Sequence, residues 1–440
     1  MTAASDLDTS KHYLAAVTAA ERDSDFNMIS HEVQDPAPKE NESTTARIDG
    51  GFDAWMVVAA GFIAHFVIFG LVYSFGVFFA YYTKEGLGSS SSVAFIGSTG
   101  TVFIPGLGIL SGRLAQQYGF RRLILIGSLL LSLGIFAASF VPDSLPLLIC
   151  TQGALFGIGA SLVYFPALSL PSQWFSKHRG LATGLAASGA GLGGMVFSLA
   201  VDRLITAVGI HWTLRVSAIV SCVLLLAATP FFKTRIATTK SKIDYSVVKD
   251  PRFMCLLLSC FLSNFAMFVC VDFLAVYAQE VAGLSLSNGA TLLAVYNTCS
   301  TVGRIFTGLA ADRWLGPTNA LVISSWITAT SNFAWLRCTD LPSLCVFAGV
   351  TGFFGGAFWG LLPVVVAELF GADGKMVSIV GVLYTLLAGG NFGSPPLTGW
   401  IKEHWGLWWM VVYAGCLACL SGVAATSARF LHSRELLKKV

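Results

Sequence analysis

Apolar blocks of about 20 residues recur along this chain, and nothing else in it limits the fold so severely. An α-helix rises 1.5 Å per residue, so a block of that length spans about 30 Å, the thickness of a bilayer's hydrocarbon core. Such blocks lie at 54–81, 93–115, 123–141, 147–170, 181–204, 212–232, 253–279, 291–311, 320–336, 345–369, 377–401 and 408–430. Hydrocarbon offers the backbone no hydrogen-bond partner, so each block has to satisfy its own N–H and C=O groups as a helix. The spacing predicts an all-α membrane protein of twelve transmembrane helices, with the lipid bilayer as its first partner. Composition agrees. Of 440 residues 55% are hydrophobic and only 12% charged, too few charges to cover a soluble fold of this size.

Charge placement gives an expected topology. Residues 1–50 hold ten Asp or Glu against four Lys or Arg, a net of −6 in a chain of net +3, which leaves +9 for the remainder. That excess sits in loops and is not a nucleic-acid patch. Arg113, Arg121 and Arg122 follow the second block, Lys177 and Arg179 the fourth, and Lys233, Arg235, Lys240, Lys242, Lys249 and Arg252 the sixth. The loops after the first, third and fifth blocks offer Lys84 and Arg203. By the positive-inside rule the even loops and both termini are cytoplasmic. Residues 1–50 read as a disordered cytoplasmic tail, and with no apolar segment before Ala54 no cleavable signal peptide is expected.

The two halves repeat. Gly112-Arg-Leu-Ala-Gln-Gln-Tyr-Gly119 follows the second block and Gly308-Leu-Ala-Ala-Asp-Arg-Trp-Leu-Gly316 the eighth. Gly193 and Gly194 recur as Gly389 and Gly390, and Arg179 as Lys375, each at the same offset of 196. The expected layout is a six-helix bundle over 51–232, a cytoplasmic linker over 233–252, a second bundle over 253–431 and a tail over 432–440. Two such bundles create an interface along the membrane normal, where a cavity opens to either side as they rock. Glycine pairs at i, i+4 suit close helix approach: Gly108 and Gly112, Gly189 and Gly193, Gly356 and Gly360, Gly389 and Gly393. The plasma membrane is the expected location.

Charges inside the blocks are costly and therefore informative. Arg304, one turn before Gly308, suits a bidentate grip on a carboxylate. Asp272 and His65 are candidates for proton coupling, each with a plainer alternative as a helix cap or a packing residue. Tyr73, Tyr164, Phe165, Tyr296, Trp359 and Tyr384 lie in blocks that face the interface, and Asn297 beside Tyr296 adds a polar group. Glu368 is expected to pair with the basic loops, through Lys177 or Arg179. Cys338 and Cys345 flank a short loop and are placed to pair if it faces an oxidising side. The seven histidines show no metal-ligand spacing, no nucleophile–base set converges, and no G-x-x-x-x-G-K phosphate loop is present. Neither metal nor cofactor is expected. A secondary carrier of a small molecule is favoured over a membrane enzyme or a non-transporting sensor.

Two sets of motifs resemble known families. Gly112, Arg113, Gly119 and Arg121, with Gly308, Asp312 and Arg313 in the second copy, are similar to the loop motif of the major facilitator superfamily, with Gln116 where the first copy usually has Asp. The resemblance implies a gating latch at these residues. Asp49-Gly50-Gly-Phe-Asp-Ala-Trp55 and the segment from Trp174 through Phe175, Lys177, Arg179 and Gly184 resemble the two signature motifs of the monocarboxylate porters, closest to fungal members. That resemblance places Arg304 at the position of a substrate-carboxylate arginine, Ser300 where those carriers have an aspartate, and Tyr73 where they have a lysine. It implies transport of a small organic anion or secondary metabolite by alternating access. Export is slightly favoured, with uptake of a monocarboxylate or vitamin-like nutrient as the alternative. A co-transported proton and the oligomeric state stay open.

Overall fold

The computed structural model describes residues 50–88, 90–235, 245–284, 286–371 and 376–433. Asp49, Lys375, residues 236–244 of the expected linker, and residues 1–49 and 434–440 of the expected tails lie outside them.

The chain is all helix. α1 is Phe52–Lys84. α2 is a bent pair, Ser90–Gly106 and Gly108–Tyr118. α3 is Phe120–Ala138. α4 starts at Leu145, widens into a π-turn at Ile149–Leu155 and continues as Phe156–Ser169. One continuous stretch, Arg179–Ala228, divides at Gly209 into α5 (179–208) and α6 (210–228). α7 is Pro251–Glu280, α8 Leu286–Ala310 with a π-turn at Ala311–Leu315, α9 Pro317–Trp335, and α10 Leu341–Phe370. The stretch Met376–His432 divides at Gly406 into α11 (376–405) and α12 (407–432). These are the twelve expected spans, several of them longer than their apolar blocks because the helix runs on through its polar end turns.

Glycine sets where the rods turn. Gly119 and Gly209 have φ of 86° and 78°, and Gly316 and Gly406 have φ of 82° and 85°, conformations that side chains with a Cβ rarely adopt. The second pair follows the first at a constant spacing, as Pro363 in α10 follows Pro166 in α4. The duplication is therefore written in turns and kinks as well as in the loop motif.

Length and apolarity alone do not account for all the spans. Seven described helices are long and apolar enough to cross a membrane, one of them the 53-residue run that contains α5 and α6, and α2 counts with them if its bent halves are one span. α8 and α9 are less apolar, the described apolar part of α11, Ile379–Asn391, is shorter, and each is embedded among neighbours. α8 packs on α5 and α10, α9 on α10 and α12, and α11 on α2 and α7. Lipid is met instead by rows such as Leu125, Ile126, Leu129 and Leu133 of α3 and Ile219, Val220 and Val223 of α6, all exposed. Trp212, Trp405, Trp408 and Trp409 are exposed around the Gly209 and Gly406 turns and form an aromatic girdle at that end. The opposite end, where Arg113, Arg121 and Arg122 are exposed, is termed the basic end.

Inside α2 two backbone hydrogen bonds are broken, and the other half mends both. Pro105 has no N–H, so the Thr101 carbonyl loses its helical donor. Asn391 of α11 donates its side-chain amide to that carbonyl at 3.0 Å. Past Pro105, α2 bends by 51°. The bend parts Ile109 N–H from the Pro105 carbonyl, which would be i→i−4 partners in a regular helix. The Thr385 hydroxyl of α11 stands between them. It accepts from Ile109 N at 3.0 Å and donates to the Pro105 carbonyl at 3.4 Å. Each bridge meets a backbone group that hydrocarbon would leave unpaired.

Thr385→Val keeps the shape and removes both bonds, and Asn391→Leu removes the other. Each should cost about 1–2 kcal/mol, read as a lower midpoint of thermal unfolding of the purified protein, whereas Thr385→Ser should retain most of the stability.

Candidate functional site

The site lies on the seam between the two bundles. α5 meets α8 backbone to backbone. A methyl group at Gly180 would run into the Gly308 carbonyl, one at Gly308 into the Gly180 carbonyl, and one at Gly184 into the Arg304 carbonyl. Further along, a methyl at Gly191 would strike Thr301 and the Asn297 carbonyl. α2 meets α11 the same way, Gly108 against Gly381. These contacts run from the basic end to the middle of the bundle, so the halves are closed together on that side.

At the middle of this seam is Arg304. Its side chain is 8% exposed, its stem lies against Gly360 of α10, and its Nη1 finds no hydrogen-bond partner among protein groups. Gly360 is what admits the stem: a Cβ there would come within 3.1 Å of Arg304 Cγ. A buried guanidinium with an unpaired N–H is expensive, at about 1–3 kcal/mol or more for the missing bond. Gly360 adjoins Trp359, which places Arg304 at one end of a chain of rings.

Aromatic rings connect the two halves. Tyr164 meets His65 at 5.5 Å, Phe69 at 5.5 Å and Tyr384 at 5.7 Å between ring centroids. Tyr384 reaches Trp359 at 6.5 Å, and Phe69 reaches Tyr73 at 5.7 Å. One cation within a continuous aromatic wall is suited to hold an anionic head on an apolar, flat body.

At the basic end, Asp312 joins the halves. Its two carboxylate oxygens accept from Gly180 N at 2.8 Å and Leu181 N at 2.7 Å, the first turn of α5. The carboxylate fills donors that a helix start leaves open and meets the positive end of its dipole. In the first copy Gln116 stands at the corresponding place, buried. Arg113 and Arg313 are exposed, and Arg121 donates to the Phe232 carbonyl at 3.2 Å.

The two signature segments come together at the same end. Trp55 packs edge-on against Phe175 at 5.0 Å, Asp53 pairs with Lys233 at 2.5 Å, and the Trp174 indole donates to the Lys233 carbonyl at 2.8 Å. Arg179 donates to the Phe175 carbonyl at 3.1 Å. Gly50 precedes α1 without a close neighbour, and Lys177 lies in the turn before α5. The start of the linker is thus fastened to α1 and to the α4–α5 turn, a join that spacing alone did not reveal. An apolar groove beside it, lined by Trp55, Val58, Phe62 and Leu185, has almost no polar surface and is separate from the Arg304 site.

Several expectations need correction. Glu368 accepts from Thr318 N at 3.2 Å and Thr318 Oγ1 at 2.7 Å, so it caps α9. Gly389 of the last glycine pair meets no neighbour within 4 Å, unlike Gly108, Gly189 and Gly356. Cys338 and Cys345 are both free thiols. Ser300 is packed against Gly356 of α10. Asp272 lies in α7, with its side chain outside the described residues. Phe69, Thr385 and Asn391 were not singled out from the sequence; for the last two the only signal was Pro105, four residues after Thr101.

Residues 61–314 match the Major Facilitator Superfamily. The chain belongs to that family. MFS-type transporter 1 of Ophiocordyceps sp. is 30% identical over 89% of this chain and 89% of its own length. The fujikurins efflux protein of Gibberella fujikuroi is 30% identical over 95% and 91%, and the aspyridones efflux protein apdF of Emericella nidulans 29% over 87% and 79%. The fold is shared with the E. coli fucose:proton symporter FucP, at a TM-score of 0.67 and 13% identity over 85% of this chain and 99% of that one. It is also shared with the human organic anion transporter MFSD10, at 0.65 and 14% over 88% and 100%. The protein is a multi-pass membrane transporter of this superfamily.

Removing the Asp312 carboxylate should loosen the first turn of α5. For Asp312→Ala we expect a loss of about 1–2 kcal/mol, seen as faster hydrogen–deuterium exchange at Gly180 and Leu181, by about 5- to 30-fold, with α1 unchanged.

Proposed function

We propose that this transporter exports a small organic anion, a secondary metabolite, by alternating access across the plasma membrane, as a monocarboxylate porter-like member of its superfamily. The observation that carries the reading is Arg304: a buried guanidinium at the seam of the two bundles, with Nη1 unpartnered and aromatic rings around it. An anionic cargo supplies the missing acceptor. The rings hold the rest of the cargo by apolar and stacking contact. Two relatives are efflux proteins by name, for fujikurins and for aspyridones, and this favours export over uptake. The signature segments meeting at Trp55 and Phe175 support the porter-like assignment.

The positive-inside rule makes the basic end cytoplasmic. On that reading the closed seam faces the cytoplasm. Cargo enters from the cytoplasm when the α5–α8 and α2–α11 contacts part, so the Asp312 clamp and the glycine seam oppose loading until they release. The bundles then close behind the cargo.

Arg304→Ala should lower transport of an aromatic carboxylate into inside-out vesicles by about 10- to 100-fold, the worth of a charge-assisted hydrogen-bonded pair. Arg304→Lys should keep the charge, lose the fork and fall between. Transport unchanged in Arg304→Ala would remove the anion reading. A deletion strain should hold more metabolite inside and release less, and accumulation in the medium instead would point to uptake.

A further inference from the structure

Among the described residues, two ionisable side chains have a buried nitrogen without a protein partner: Arg304, at Nη1, and His65, at Nε2. His65 is only 3% exposed. Its Nδ1 lies 2.8 Å from the Gly61 carbonyl. A carbonyl oxygen only accepts, so Nδ1 carries the ring hydrogen and Nε2 of the neutral ring is left with its lone pair. The ring cannot turn to seek another partner. Phe69 stacks on it at 6.1 Å and Tyr164 closes its side at 5.5 Å. Burying an unpaired charge is costly, so a neutral imidazole is the form that sits there.

The site therefore offers a cation with an open donor beside Gly360 and, along the ring chain Trp359–Tyr384–Tyr164, an open acceptor at His65. A plain carboxylate satisfies the first and leaves the second unmet. We propose that His65 is a specificity-determining residue of the cargo site. Its Nε2 accepts a hydrogen bond from a hydroxyl on the cargo, which makes the cargo class phenolic or enolic organic acids rather than simple monocarboxylates. The inference rests on Arg304 as the anion anchor. A buried polar group built to pair with a hydroxyl discriminates strongly against a cargo that lacks it, because that group is then left unpaired. The flat conjugated body of such acids also fits the wall of Tyr164, Tyr384 and Trp359.

The test is calorimetric titration of the purified full chain with meta-hydroxycinnamate and with its methyl ether, which keeps the anion and the ring but cannot donate. Wild type should bind the hydroxyl compound about 10-fold more tightly. In His65→Phe the preference should fall to about twofold or less, with the ether bound as before. His65→Gln, whose amide oxygen accepts, should retain it, which also guards against a folding defect in the Phe variant. Arg304→Ala should weaken both ligands. Equal binding of the two ligands by wild type, or a preference that survives His65→Phe, overturns the role of His65 while the loss in Arg304→Ala still supports the anion site. Binding of neither ligand, or binding untouched by Arg304→Ala, overturns both.

Discussion

The direct contact of α5 with α8, peptide against peptide, is what the rest of the structure depends on. Gly180, Gly184 and Gly191 let the two backbones approach where any side chain would hold them apart. That approach brings the first turn of α5 within reach of Asp312 and sets Arg304 at the centre of the molecule instead of at its rim. In lipid the hydrophobic effect does not drive helices together, so association relies on close packing and on polar groups that find each other. Both operate along this one line.

The electrostatics follow from the same placement. An arginine on the outer face of α8 would reach toward headgroups along its flexible stem. Buried and lodged beside Gly360, Arg304 has no such route. It is held instead at the seam between α5, α8 and α10. On the proposed function, the energetic cost of leaving that charge unpaired is what gives an anion a reason to enter.

What was legible in the sequence follows the range of each interaction. The spans were visible because bilayer thickness imposes a length on every one of them, even on α8 and α9, whose polar residues dilute the signal. Arg304 was visible because a charge in an apolar run demands explanation by itself. His65 was only half visible, since a lone histidine serves equally well in packing, and the distinction rests on Gly61 taking Nδ1 and nothing taking Nε2. The partner of Glu368 was not legible, because the start of a distant helix offers N–H donors that a carboxylate accepts as readily as it pairs with a cation. Thr385 and Asn391 were out of sight because they answer a defect in a different helix almost three hundred residues away in the chain.

The Thr385 bridge has one more consequence. The two groups it holds apart, Ile109 N–H and the Pro105 carbonyl, are each other's own partners in an unbent helix. A join of this kind leaves little behind when it opens. The hydroxyl can turn back to a carbonyl of its own helix, as threonines in lipid do, and α2 can close its ladder by straightening. Ordinary polar contacts in hydrocarbon are ratchets, easy to make and hard to leave. This one works as an exchange, in which a hydrogen bond between helices is traded for one within a helix. It gives the closed seam its register without committing the molecule to remain closed.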